Sequence, residues 1–118
     1  MKILPLEFKR TDNRGSLIQV ISSPGWQQLN HLKINKDNTF GGHYHKKRTE
    51  LFYIISGEIK FKIENIQSNT TSIFYLRSDE EEVLIIEPYE KHTLIALENS
   101  EIVELLNQPF TEEDNFCE

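Results

Sequence analysis

At 118 residues, 37% hydrophobic and 27% charged, the chain has the length of one domain, spanning residues 1–118, and the balance of a soluble globular protein. Its formal charge of -6 has the wrong sign for general nucleic-acid binding, which rewards clustered lysine and arginine. No apolar run approaches the roughly 20 residues of a membrane span, the start at Met1 to Pro5 is too short for a signal sequence, and the lone Cys117 has no internal partner, so a cytoplasmic protein is expected.

Leu4, Leu6 and Phe8 alternate over the first segment, and Thr11-Asp12-Asn13-Arg14-Gly15 then supplies turn chemistry, which predicts a strand running into a turn. From Ser16 to Ser22 both faces carry apolar side chains, and Ser23-Pro24-Gly25 breaks the segment. Gln27 to Ile34 reads as a strand closed by the polar turn Asn35-Lys36-Asp37-Asn38; His31 lies within it, on a face that periodicity does not fix. Beyond Gly57 the pattern is clearest: Ile59, Phe61 and Ile63 alternate with Lys60, Lys62 and Glu64, giving one core face and one wet face. Further strands are expected over Thr70 to Leu76, Val83 to Ile86, the segment carrying His92, Leu94 and Ala96, and Glu101 to Asn107. Asp79 to Glu82 and Glu112 to Asp114 read as a solvated loop and a solvated tail, the tail with helical character.

No helical period is sustained over a dozen residues, and many short strands between turn signals predict an all-β sandwich or barrel. Leu51 to Ile55 and Val83 to Ile86 are apolar on both faces, whereas a strand of a lone antiparallel sandwich has one wet face. A second subunit or an exchanged strand is therefore expected to cover the outside, which makes the protein a homodimer.

The stretch with most chemistry runs from Gly41 to Gly57. His43 and His45 are one residue apart, so an extended backbone turns both imidazoles to one face and Tyr44 to the other. A turn through Lys46, Lys47 and Arg48 folds Glu50 back beside them, and Pro88-Tyr89-Glu90-Lys91-His92 brings in a third imidazole. Imidazoles with one carboxylate suit zinc, iron, nickel or manganese and leave positions open for substrate. The basic trio after the histidines reads either as an ordinary polar turn or as a site that steers a small anion.

This spacing resembles the cupins, whose first motif sets two histidines and a glutamate before a glycine turn and whose second adds a last histidine. Asp37 stands where the first motif usually carries its leading glycine, and the second motif takes a longer step from Pro88 to His92. The resemblance implies a jelly-roll barrel, a double-stranded β-helix, with His43, His45, Glu50 and His92 as the ligands of a divalent metal. Within the cupins the chain is similar to two groups that act on nucleotide-linked deoxysugars. One is the C-terminal cupin domain of the capsular-polysaccharide enzyme that epimerises and then reduces a UDP-linked keto sugar, matched at Asp12 to Ser16, Gly41 to His45, Glu50, Gly57, Pro88 to His92 and Asn107 to Phe110. The other is the dTDP-sugar 3,4-ketoisomerases, matched at Arg14 to Leu17 and His43 to Lys47.

Both resemblances imply proton transfer beside a 4-keto group through an enediolate, in surface polysaccharide or deoxysugar biosynthesis. If the histidines hold metal, the base is another group, with His31, Tyr53 or a lysine as candidates. If no metal binds, His43 or His45 is the base, since an imidazole titrates near ~6.5. Arg14 reads either as a contact for the anionic nucleotide sugar, alongside Lys47, or as a turn ion pair with Asp12. The same ligands would also serve an iron oxygenase, or a small-molecule-binding module without turnover.

Overall fold

The structure, a computed structural model, describes residues 1–117. In chain order its strands are β1 (Lys2–Pro5), β2 (Phe8–Asp12), β3 (Gly15–Gln19), β4 (Gln28–Ile34), β5 (Thr39–His43), β6 (Glu50–Ser56), β7 (Glu58–Asn65), β8 (Thr70–Arg77), β9 (Glu82–Ile86), β10 (Glu90–Ala96) and β11 (Ser100–Leu106). Single 3-10 turns at Ser78–Glu80 and Glu112–Asp114 are the only helical segments among the described residues. None is long and apolar enough to cross a membrane.

A five-stranded sheet, β1-β9-β6-β11-β4, faces a four-stranded sheet, β5-β10-β7-β8, and every neighbouring pair is antiparallel. Alternation sorts each strand: Phe52 and Ile54 of β6 point inward with Ile102 of β11, and meet Ile59, Phe61 and Ile63 of β7 and Leu94 of β10 from the other sheet. Phe52 and Phe61 meet across the layers with ring centroids 5.6 Å apart. This is the expected all-β, cupin-type double-stranded β-helix.

Leu51, Val83 and Ile85 form a second cluster on the outer face of the larger sheet. Leu6, Val20, Ile21 and Trp26 of the same chain pack against it. Of the outer residues read from sequence as a subunit contact, Leu51 of β6 and Val83 and Ile85 of β9 are covered here by Leu6 and by the segment that follows β3, whereas Ile55 of β6 is 44% exposed. That segment leaves strand geometry after Gln19, so the strand expected over Ser16 to Ser22 is shorter than its apolar pattern.

Two turns depend on backbone conformation. Gly57 joins β6 to β7 at φ +93°, and a Cβ there would meet Ser100 Oγ at 2.1 Å, so only glycine fits. Asp37 takes φ +69°, the left-handed region that aspartate tolerates better than most residues, which explains how it occupies a position where the motif favours glycine.

Candidate active site

Glu50 opens β6 with its side chain inward, one strand step before Phe52. On β10, Glu90, His92, Leu94 and Ala96 share the inner face, which sets His92 opposite Ile63 of β7 and opposite His43 of β5. The β5–β10 register shifts between His92 and Thr93. Gly41, at φ +96°, makes that irregularity sterically feasible, because a Cβ there would lie 2.5 Å from the His92 carbonyl oxygen. Tyr44 faces away from the cavity as alternation demands, stacking on Tyr89 and Phe116 and exchanging backbone hydrogen bonds with Phe116. His45 returns to the inside.

His45, Glu50 and His92 converge, their ligand atoms all within 4.8 Å of one another, and all three side chains are buried. His45 Nδ1 donates to the Asp114 carbonyl oxygen (2.6 Å) and His92 Nδ1 to that of Glu90 (3.1 Å), so both Nε2 atoms are aimed at Glu50. His45 Nε2 lies 2.7 Å from Glu50 Oε1, and His92 Nε2 lies 3.3 Å from Oε2. Arg48 is also turned inward, 5% exposed, with Nε 3.2 Å from Glu50 Oε1 and Nη2 3.0 Å from His45 Nε2. A single ring nitrogen thus meets both an acceptor and an obligate donor. As a lone pair it suits Arg48 and opposes Glu50; protonated, it does the reverse.

This donor set fits a divalent cation. Imidazoles whose second nitrogen is anchored on a carbonyl, turned toward a buried carboxylate, form an oriented donor set of the kind that holds a divalent metal. Three residues form this close group among the described residues. His43 lines the same cavity but stands outside the group, with Nδ1 buried and unpartnered.

The other expected residues lie elsewhere. His31 is 48% exposed on the outer face of β4, paired with Glu101 of β11 at 2.9 Å, because Asn30, Leu32 and Ile34 take the inner positions. Tyr53 packs on the outer cluster, as the odd residue of β6 must. Arg14 sits at the tip of the exposed β2–β3 hairpin and grips Asp12 with Nε and Nη2 (3.2 and 2.8 Å), the turn ion pair rather than a cavity contact. Lys47 is exposed and turned away from the histidines, beside Gln108 and Asp114. His31 and Tyr53 are therefore corrected as candidate bases, and Arg14 and Lys47 as ligands of the cavity within one chain.

Three contributors escaped the sequence. Asp114, assigned to a solvated tail, is buried, and its carboxylate accepts from the backbone N–H of Lys46 (2.8 Å) and Lys47 (3.3 Å). Glu104 of β11 sits level with Phe52 and Asn30 on the neighbouring strands, lines the cavity and accepts from Asn30 Nδ2 at 2.9 Å. Phe110 stacks over the Arg48 guanidinium, 5.0 Å from its centre. Alternation along β11 was enough to place Glu104 inside with Ile102; nothing local marks the other two.

Charge is shared unevenly across this floor. Burial opposes ionisation of Glu50, but hydrogen bonds from His45 and His92 and the charge on His92 outweigh it and hold the carboxyl well below its usual range. Burial, together with the ionised Glu50 beside it, pushes Glu104 up to about 7. Burial would depress His92, yet its hydrogen bond and attraction to Glu50 leave it raised.

The cavity above these groups holds about 280 Å³. Antiparallel sheets closed around inward histidines and a glutamate define a cupin. The chain belongs to the polysaccharide biosynthesis C-terminal domain family, which it matches over residues 10–115. It is 26% identical over 106 residues to a UDP-2-acetamido-2,6-beta-L-arabino-hexul-4-ose reductase of Pseudomonas aeruginosa, covering 88% of this chain but 28% of that enzyme, so it spans little more than a quarter of the relative. Among solved structures, the 3,4-ketoisomerase QdtA of Thermoanaerobacterium thermosaccharolyticum, in a variant complexed with TDP-4-keto-6-deoxyglucose, superposes with TM-score 0.83 at 18% identity, covering 99% of this chain and 86% of that one. The capsular polysaccharide assembling protein CapF of Staphylococcus aureus superposes with TM-score 0.70 at 24% identity, covering 95% and 32%. These likenesses establish the shared fold.

Proposed function

We propose that the chain is a sugar-nucleotide isomerase or epimerase that moves a proton on a nucleotide-linked 4-keto-6-deoxysugar through an enediolate, within polysaccharide or deoxysugar biosynthesis. The observation that carries this reading is the division of labour among the histidines. His45 and His92 turn Nε2 to Glu50, whereas His43 lines the same cavity and its buried Nδ1 has no hydrogen-bond partner among the described residues. The family match and the ketoisomerase-like fold support the substrate class.

In this mechanism His45, Glu50 and His92 would hold the divalent cation, which when bound supplies Lewis-acid stabilisation of an oxygen next to the reacting carbon. His43 takes the proton from the carbon beside the carbonyl and the C–H electron pair becomes the enediolate; a proton is then returned either to the opposite face of that carbon, from water or a second acid on that side, or by His43 to the former carbonyl carbon, with the neighbouring hydroxyl giving up its proton as the former carbonyl oxygen gains one. Return to the opposite face inverts the centre; return to the neighbour moves the carbonyl. The apolar walls, Leu32, Phe40, Phe52 and Leu94, limit water around the intermediate. Separating ligand from base removes the conflict that arises when one imidazole is asked to do both.

The test is incubation with dTDP- and UDP-linked 4-keto-6-deoxysugars in heavy water. Deuterium should enter at the carbon beside the carbonyl; a sugar recovered without deuterium overturns the reading. A dimer belongs to the same proposal, supported by the exposed Phe8, Leu17 and Ile18 on the β2–β3 hairpin, and a hydrodynamic mass of one chain at micromolar concentration would refute it.

A further inference from the structure

Arg48 has one nitrogen whose N–H groups no described residue uses. Its Nε serves Glu50 and its Nη2 serves His45, while Nη1 is buried without a hydrogen-bond partner, and the side chain lines the cavity that His43 also lines. A buried guanidinium never loses its charge, and an unmade hydrogen bond on a charged group is costly, so a donor in this state favours an acceptor brought up to it from the cavity. Phe110, stacked over the guanidinium, and Glu50, holding Nε, fix the direction in which Nη1 points. A divalent cation on His45 Nε2 would take the lone pair that Nη2 now uses and release a second donor beside the first.

We propose that Arg48 is a catalytic residue, the oxyanion donor of the cavity, binding a small planar oxyanion: the enediolate of the reaction above, or a carboxylate of the same shape. This assignment of role rests on the proposed proton transfer, whereas the anion site itself does not. As His43 removes the proton, negative charge moves onto the former carbonyl oxygen, and Nη1–H donates to it; the proton's return restores the carbonyl and leaves Arg48 unchanged. The neighbouring Glu50 carboxylate does not abolish the attraction, because Nε already neutralises it in part and a metal would do so further. An ordinary turn lysine or arginine would extend outward, as Lys47 does with its exposed side chain and as Lys46 does over the Phe116 ring.

The experiment measures oxalate, a planar dianion with the enediolate's outline, binding to the full chain loaded with zinc, and in parallel the deuterium entry described above. Arg48→Met should weaken oxalate binding at least tenfold and lower the rate of deuterium entry about a hundredfold, with zinc content unchanged and KM little altered. Arg48→Lys keeps a cation in place and folds without an uncompensated buried charge, so it should recover part of both losses. Oxalate binding that is equal in wild type and both variants, or undetectable in wild type at millimolar concentration, overturns the proposal. If wild type admits no deuterium while oxalate binding still depends on Arg48, the isomerase reading fails and the anion site stands.

Discussion

His45 Nδ1 lies 2.6 Å from the backbone carbonyl oxygen of Asp114, which is 69 positions further along the chain. The imidazole that faces Glu50 is thus oriented from the C-terminal segment, and the Asp114 carboxylate caps the two amides that follow His45. Partners of this kind typically change metal affinity 10- to 100-fold, on the order of magnitude seen for outer contacts of metal sites. Asp114→Ala keeps the carbonyl on His45 but removes the carboxylate from the Lys46 and Lys47 amides, so it should loosen the turn that carries His45 and weaken zinc binding by about tenfold, measured by competition with a chromogenic chelator, without unfolding the barrel. Undiminished affinity would show that the main-chain carbonyl alone holds the ring.

Substitution separates the two histidine roles. His45→Ala should abolish tight zinc binding while the far-UV spectrum stays that of a β protein. His43→Asn should keep its zinc and lose deuterium entry by roughly 10²- to 10⁴-fold, the usual worth of a general base. Loss of metal from His43→Asn would return His43 to the ligand set.

The carboxyl pair predicts a pH dependence of the metal-free protein. Glu104, raised to about 7, retains its proton in the folded state after the unfolded chain has released its own, so its contribution is lost as pH rises through about 7. His92, also raised, acts in the same direction: its contribution is present below the ordinary imidazole range and lost above its folded value. Glu50, lowered, acts in the opposite direction: its contribution is present above the ordinary carboxylate range and is lost progressively as pH falls below it. Thermal stability should decline between about pH 5 and about pH 8, and Glu104→Gln should make that decline shallower. A slope identical in the variant would assign the whole effect to His92.

Gly41→Ala tests the register. The added Cβ would sit 2.5 Å from the His92 carbonyl oxygen on a residue with φ +96°, so β5 must move off β10 where His43 and His92 are opposed. The substitution should cost about 1–3 kcal/mol from backbone strain alone and more from the clash, read as a shift in the urea midpoint. Wild-type stability together with wild-type zinc affinity would show that the strands adjust freely.

Much of this was legible beforehand. Alternation in β7 announced a half-wet strand, because it is carried by local periodicity; His43, His45, Glu50 and His92 were expected to meet at one metal, and of these His45, Glu50 and His92 stand close together. What was not legible depends on long-range pairing. Lys46, Lys47 and Arg48 are alike in composition, yet Arg48 alone turns inward, toward Glu50 and Phe110. The face of His31 was open until β4 paired with β11 and committed Asn30 and Leu32 to the interior. The acidic tail looked solvated because nothing in its own residues records that Tyr44 pairs with Phe116. Apolar residues on both faces of β6 and β9 were read as covered by a second subunit or an exchanged strand, whereas the cover over Leu51, Val83 and Ile85 comes from residues 6 and 20–26 of the same chain.

The tail joins the barrel largely through main-chain atoms: the Asp114 carbonyl on His45, and the amide and carbonyl of Phe116 on Tyr44. Main-chain atoms are the same whatever residue bears them. Homologous proteins can then diverge widely in spelling at this end while keeping the imidazole in place, but a shortened end, whether by nonsense mutation or by a trimming peptidase, would disarm the protein without melting it.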